Sequence, residues 1–168
     1  MSPAPPLPAS FVRADLEAAG FTGWRTWDEL RTDEYPIPSQ PLVYVLYRES
    51  DAEPRFHAGS PGGHFKGKNP TVAVETLQAK WVHHANTINI GKADNGRRRL
   101  RSYARFGAGE PVAHWGGRYI WQLVGSDELL VAWHPIAWGE AARDYEVRLL
   151  ACFRERHGGK LPFANLRN

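Results

Sequence analysis

Apolar and polar residues alternate along this chain in ways that predict its elements. Leu42-Val-Tyr-Val-Leu-Tyr47 is apolar on both faces and predicts a central strand covered from both sides. Thr87-Ile-Asn-Ile-Gly91 predicts a second, shorter strand. Arg118 to Val124 and Glu128 to His134 predict two further strands, with Gly125-Ser126-Asp127 as a hairpin turn. Helical spacing appears at Ser10 to Ala19, with Ser10 as cap and Gly20 as stop, and from Asn69-Pro70 through Thr76, Leu77 and Trp81. It recurs at Arg97 to Phe106, capped by Asn95 and closed by Gly107, and at about Glu140 to His157 before Gly158-Gly159. Trp24 and Trp27 fall in a turn-rich connection, and Tyr35-Pro-Ile-Pro breaks regular structure. The tail from Leu161 to Leu166 reads as extended.

Composition narrows the class. The chain has 168 residues, 42% hydrophobic and 23% charged, which fits one globular domain. Residues 1–9, rich in proline, read as a disordered lead-in, and 10–168 as the domain. The N-terminus lacks the basic cluster and apolar core of a signal peptide, and no run is long enough to span a membrane. A cytoplasmic location is the expectation. The formal charge is only +3, so any electrostatic role depends on a patch. Cys152 is the only cysteine, which excludes an intramolecular disulfide and any multi-cysteine metal site.

Four groups of residues carry candidate chemistry. Lys92, Arg97, Arg98, Arg99, Arg101 and Arg105 crowd a strand–glycine–helix junction, opposed only by Asp94. They read either as a solvated helix face or as phosphate ligands beside a helix N-terminus whose N–H groups face an anion. Glu146 shares a stripe with Leu149, Leu150 and Phe153, as an ion-pair partner of a group such as Arg99, as a snorkelling stem, or as a metal ligand. Tyr44, Tyr47 and Tyr103 are core aromatics or, near cations, proton acceptors. His114-Trp-Gly-Gly-Arg-Tyr-Ile-Trp121 mixes stacking rings, glycines and a cation, and suits either a turn into a core strand or nucleotide contact; Trp121 reads as core, and His114 and Arg118 fit either. The loop 58–70 is glycine-rich and basic, and loops of that length are usually functional or mobile.

On these residues the chain resembles the GIY-YIG nuclease superfamily. Leu42 to Tyr47 is similar to the first motif, with Tyr44 as its terminal tyrosine. Ile88 to Tyr103 is similar to the second motif and its helix as found in the incision domain of the bacterial excision-repair nuclease. Glu146-Val-Arg-Leu-Leu150 resembles the metal-binding helix, and Pro162-Phe-Ala-Asn165 the closing Pro-x-x-Asn. The resemblance covers roughly 41–168. It departs from the family pattern at Asn89, where a tyrosine belongs, and in a long insertion at about 48–86.

The resemblance implies an α/β (α+β) fold: a small three-stranded antiparallel sheet flanked by helices, with the insertion between the first two motif strands. It implies phosphodiester hydrolysis with one Mg2+ or Mn2+ ion held by Glu146. Tyr44, with Lys92 nearby, would activate water, and Arg99 would stabilise charge on the phosphate. Tyr103 would contact phosphate or water, and Asn165 would order the site. Arg97, Arg98, Arg101, Arg105, His114 and Arg118 would bind nucleic acid, DNA in preference to RNA, with Tyr47 and Asn89 as further lining. Strand geometry predicts that Asn89 points away from Ile88 and Ile90, and the resemblance implies that this face looks into the cleft. The alternatives are a GIY-YIG-like nucleic-acid-binding module impaired in catalysis and a protein-interaction scaffold.

Overall fold

The computed structural model describes residues 3–32 and 34–166. Its elements, in chain order, are α1 (Arg13–Ala18), β1 (Thr22–Thr26), α2 (Trp27–Leu30), β2 (Leu42–Tyr47) and α3 (Val74–Lys80). They continue with β3 (Thr87–Ala93), α4 (Gly96–Gly107), α5 (Arg118–Trp121), β4 (Leu130–Pro135) and α6 (Ala142–Arg156). All four strands form one antiparallel sheet in the order β1-β4-β2-β3.

β2 is paired on both sides, to β3 and β4, and all six of its residues are buried. Its lack of polar alternation follows, because helices cover both faces of the sheet. Leu42, Tyr44 and Leu46 pack with Val131 and Trp133 against Leu100, Tyr103, Ala104 and Phe106 of α4 and against Trp27 of α2. Val43, Val45 and Tyr47 pack on the other face with Ala132 against Leu16 of α1 and Tyr145, Leu149 and Phe153 of α6.

The sheet has four strands, where the family resemblance implied three. The additional strand is β1, at the edge, in the segment whose tryptophans suggested turns. It pairs Gly23 with Ala132 and Arg25 with Val131, so Trp24 is an extra residue in the ladder, with φ of 55°. Such a bulge breaks the two-residue periodicity that makes a strand recognisable. The segment 118–124 is not a strand either. Five consecutive residues, Tyr119 to Leu123, are buried, and the first half forms the short α5. Gly125 to Glu128 is a left-handed residue followed by a single 3-10 turn, not a hairpin.

The other corrections are local. Ser10 does not cap α1; Val12 holds that position without a side-chain bond, and the Ser10 hydroxyl donates to Asp15. α3 begins after Ala73, several residues beyond Asn69-Pro70. Residues 1 and 2 of the expected lead-in lie outside the described residues. The rest of it lies along α6, where Tyr145 Oη donates to the Pro6 carbonyl (2.8 Å) and Arg148 Nη1 to that of Pro5 (3.0 Å).

The insertion is anchored at both ends of its path. Fully buried Gln122 accepts from the Val72 amide and donates to the Val72 and His57 carbonyls. Phe56 and Trp81 close on Phe163, with centroids 5.7 and 5.0 Å from its ring. No helix among the described residues is long and apolar enough to cross a membrane.

Candidate active site

One cleft of about 1180 Å3 opens between α4, the β3 end of the sheet and the segment 113–119. Tyr44, Lys92, Arg99, Tyr103, Glu146 and Asn165 all line it, together with Asn89, Arg98, His114 and Arg118. These side chains come from β2, β3, α4, the 113–119 segment, α6 and the C-terminal tail. Trp115 and Tyr119, two rings of the 114–121 segment, line it as well, and sequence reasoning missed Lys80 and Ser102, which also line it. Ser102 was within reach of helical spacing, one turn beyond Arg98 and Arg99. Lys80 was not, because only the folded insertion brings its ammonium to the Asn165 carbonyl (3.2 Å).

β2 sets the first residue. Tyr44 lies across Gly91 of the paired strand, and a Cβ there would stand 2.3 Å from the Tyr44 ring and hydroxyl. The glycine therefore gives the phenol its seat. Tyr47, three residues on, points to the opposite face, where its hydroxyl accepts from the Arg13 amide and its ring meets Trp24. It does not line the cleft. The two-residue period of a strand requires that separation.

β3 carries the second correction. Leu46 pairs with Asn89, but Tyr47 pairs with Thr87, so Ile88 is bulged. Ile88 consequently joins the core beneath α4, while Ile90 joins the core beneath α6. Asn89 does face the cleft, opposite Ile90, but Ile88 does not share Ile90's side as regular geometry predicts.

Asn89 is the centre of a closed network. Asn165 accepts from the Ile90 amide at Oδ1 (2.9 Å) and donates through Nδ2 to the Ile90 carbonyl (2.8 Å). Those backbone partners fix the orientation of its amide. Asn89 must then donate through Nδ2 to Asn165 Oδ1 (3.1 Å), which leaves its Oδ1 to accept from Tyr103 Oη (3.2 Å). Burial holds the Tyr103 phenol well above its ordinary value, with Tyr44 pushing the same way and Arg99 opposing. Tyr103 is thus a neutral donor with its proton committed to Asn89.

α4 delivers Asn95, Arg98, Arg99, Ser102 and Tyr103 to the cleft, the spacing of one helical face. The Asn95 side chain accepts from the Arg98 amide, as the cap signal predicts. The other first N–H groups are also taken. Gly96 donates to the Gln40 carbonyl and Arg97 to that of Pro38, and Arg99 closes the first turn on Asn95. The junction is therefore not an open anion seat, and any anion is met by side chains. Of the four arginines expected to hold nucleic acid on α4, only Arg98 lines the cleft. Arg97 Nε donates to the Ile37 carbonyl, and Arg105 makes a two-pronged pair with Glu110. Arg101 is exposed outside the cleft lining.

The charged side of the cleft is different in kind. Glu146 is half-buried, not in the core; Tyr145, Leu149, Leu150 and Phe153 carry that stripe. Burial raises its carboxyl above the usual range, against the pull of Lys92, Arg143 and Arg99. Lys92 Nζ lies 3.6 Å from the exposed Asp94 carboxylate. Burial also raises the Tyr44 phenol, with Arg99 opposing and Glu146 reinforcing. Proximity to cations does not make Tyr44 acidic, contrary to one reading of the sequence. His114 is buried, tilted against the Tyr103 ring with centroids 3.9 Å apart, and held well below its usual value by burial and by the charge of Arg99.

Among the described residues no three His, Cys, Asp or Glu side chains gather to cage a metal. One half-buried carboxylate facing a cleft nevertheless fits Mg2+ or Mn2+ chemistry. Such ions dehydrate reluctantly, keep several waters, and bind through one or two carboxylates plus substrate phosphate. Glu146 is the residue that would hold the ion, and its raised carboxyl must lose its proton to do so. The chain matches no protein-family model, no curated protein and no solved structure.

Proposed function

We propose that this protein is a divalent-metal-dependent endonuclease of the GIY-YIG type, hydrolysing phosphodiester bonds in nucleic acid, DNA in preference to RNA. One observation carries the reading. Tyr44, Lys92, Arg99, Tyr103, Glu146 and Asn165, chosen from sequence for this chemistry, line a single cleft although they are scattered over most of the chain.

The roles follow from the groups. Glu146 would hold the ion, which supplies Lewis-acid charge to the phosphate and the leaving oxygen when bound. Arg99 and Lys92 face the phosphate with fixed positive charge, and Arg99 has the planar donors to meet oxygens that gain charge in the transition state. Tyr44 orients the attacking water through its hydroxyl oxygen. Burial opposes its ionisation, so if it acts as base, turnover rises with pH throughout the range below its raised pKa. Tyr103, Asn89 and Asn165 hold the walls at fixed spacing.

A plasmid-nicking assay with added Mg2+ or Mn2+ tests the reading. Nicking that stops with chelator supports it; no cleavage of DNA or RNA with either metal overturns it. The second reading, a nucleic-acid-binding module without hydrolysis, draws on two observations: the raised phenol of Tyr44 and the asparagine at position 89. Salt-dependent binding without cleavage would favour it.

A further inference from the structure

The cleft has two chemically distinct walls. Lys92, Arg98 and Arg99 make one cationic. The segment 113–119, packed on α4 at Tyr103, contributes rings: Trp115 and Tyr119 line the cleft, and Arg118 is its only charge. That charge is committed. Arg118 lies over the Trp115 ring (5.1 Å to the centroid) and the Tyr119 ring (5.4 Å), and Nη1 donates to the Trp115 carbonyl (3.1 Å).

The wall is built at a fixed distance from the reacting side. His114, immediately before Trp115, is 2% exposed and packs tilted against the Tyr103 ring. Gly117 allows that approach, because a Cβ there would stand 2.6 Å from Tyr103 and 2.7 Å from His114. Trp115 is half-buried, meets Phe106 edge-on with centroids 6.4 Å apart, and turns the rest of its surface to the cleft it lines.

We propose that Trp115, braced by Arg118 and Tyr119, is the stacking seat for one unpaired nucleobase, so that the substrate is nucleic acid with single-stranded character at the cut. The inference rests on the nucleic-acid reading above and extends it to a substrate class. A nucleotide is itself two-sided, anionic at the phosphate and aromatic at the base, and the two walls match those sides. In an intact duplex each base is covered by its neighbours, and a side-chain ring stacks only on a base that has left the helix.

Binding in chelator, where nothing is cut, tests this apart from catalysis. The probes are a single-stranded DNA oligonucleotide, the same oligonucleotide made wholly abasic, and a blunt duplex. Wild type binds the intact single strand most tightly. Trp115→Ala weakens that binding about tenfold, the scale of one lost base stack, and leaves the abasic strand and the duplex unchanged. Trp115→Phe keeps most of the affinity. Should Trp115→Ala misfold, Trp115→Leu keeps apolar bulk without a ring face and produces the same selective loss. Equal weakening on all three probes, or no loss on the single strand, overturns the seat. Wild type that binds only duplex overturns the seat and leaves the nuclease reading standing. Wild type that binds none of the probes overturns both.

Discussion

Two parts of the cleft, separated by one helical turn of α4, solve opposite problems. Around Asn89 every polar atom of the Asn165–Asn89–Tyr103 chain has a partner, and the chain ends on the backbone of β3. Around Glu146, a carboxylate is kept half out of water among three cations and a buried phenol, and its proton affinity is raised. A satisfied buried network rigidifies; a carboxyl whose charge is penalised awaits a cation. On the nuclease reading proposed above, the first region is scaffold and the second carries the chemistry. Substitutions should divide along that line.

The largest effect is expected at Glu146. Glu146→Gln keeps the shape and removes the charge, and should lower metal-dependent nicking on the order of a hundredfold or more. Stability should move the other way. A carboxyl whose folded pKa is raised destabilises the fold at neutral pH, and that penalty disappears as pH falls through its titration. Glu146→Gln should therefore melt no lower than wild type at pH 7 without metal. A large fall in melting temperature would place Glu146 with the scaffold.

Arg99 and Arg98 sharpen the comparison within one helix. Arg99→Ala should cost turnover on the order of tens to a hundredfold with little change in affinity, because it meets charge that develops during reaction. Arg98→Ala should weaken DNA binding a few-fold and reduce the salt slope by about one unit. Identical profiles for the two variants would remove the special role of Arg99. Arg97 and Arg105, with their side chains already engaged at Ile37 and Glu110, should have smaller binding effects than Arg98.

On the scaffold side, Asn165→Ala strands the Ile90 amide, the Ile90 carbonyl and Asn89 Nδ2. The expected cost is roughly 2–4 kcal/mol of stability, or a melting temperature lower by about 10 °C. Asn89→Tyr puts a ring into a position 8% exposed and already bonded on both sides, so it should lower activity and stability together. Thermal melts and single-turnover nicking of the same preparations check both. Higher activity in Asn89→Tyr would mean that the asparagine weakens a site built for the ring.

Much of this site was legible before folding because its residues sit in elements with strong local signals. β2 is an unbroken apolar run, α4 has its Asn95 cap, and α6 keeps helical spacing through Glu146. What failed was whatever depends on a neighbour. Trp24 and Ile88 each add a residue to a ladder, and a bulge is defined by the partner strand. The segment 118–124 has the aromatic and branched residues of a strand, yet packs Trp121 against Trp27 of α2 as a helical turn. The arginines of α4 were readable as a face, but not that Pro38, Gln40 and Ile37 would occupy its first turn and Arg97. Tyr44 and Tyr47 were grouped by composition, and strand period alone would have separated them.

His114 provides the smallest expected effect and a direct measure of how dry the scaffold side is. Among the described residues its buried Nδ1 has no hydrogen-bond partner, and burial together with Arg99 holds the imidazole well below its ordinary pKa. Well above about pH 6.5 the ring is neutral in both folded and unfolded chains and contributes nothing to the pH dependence of stability. As pH falls below that value the unfolded chain binds the proton first, while the folded ring stays neutral, so the unfolded state gains. Stability should therefore decline between about pH 6.5 and 5, by up to roughly 1.4 kcal/mol per unit from this group. His114→Phe retains an aromatic partner for Tyr103 and has nothing to titrate, so its unfolding free energy should be flatter over that window. Denaturant melts at matched pH values measure the two slopes. Equal slopes would mean that the folded protein admits the proton at His114 as readily as the unfolded chain does, and that water reaches the wall which carries Trp115.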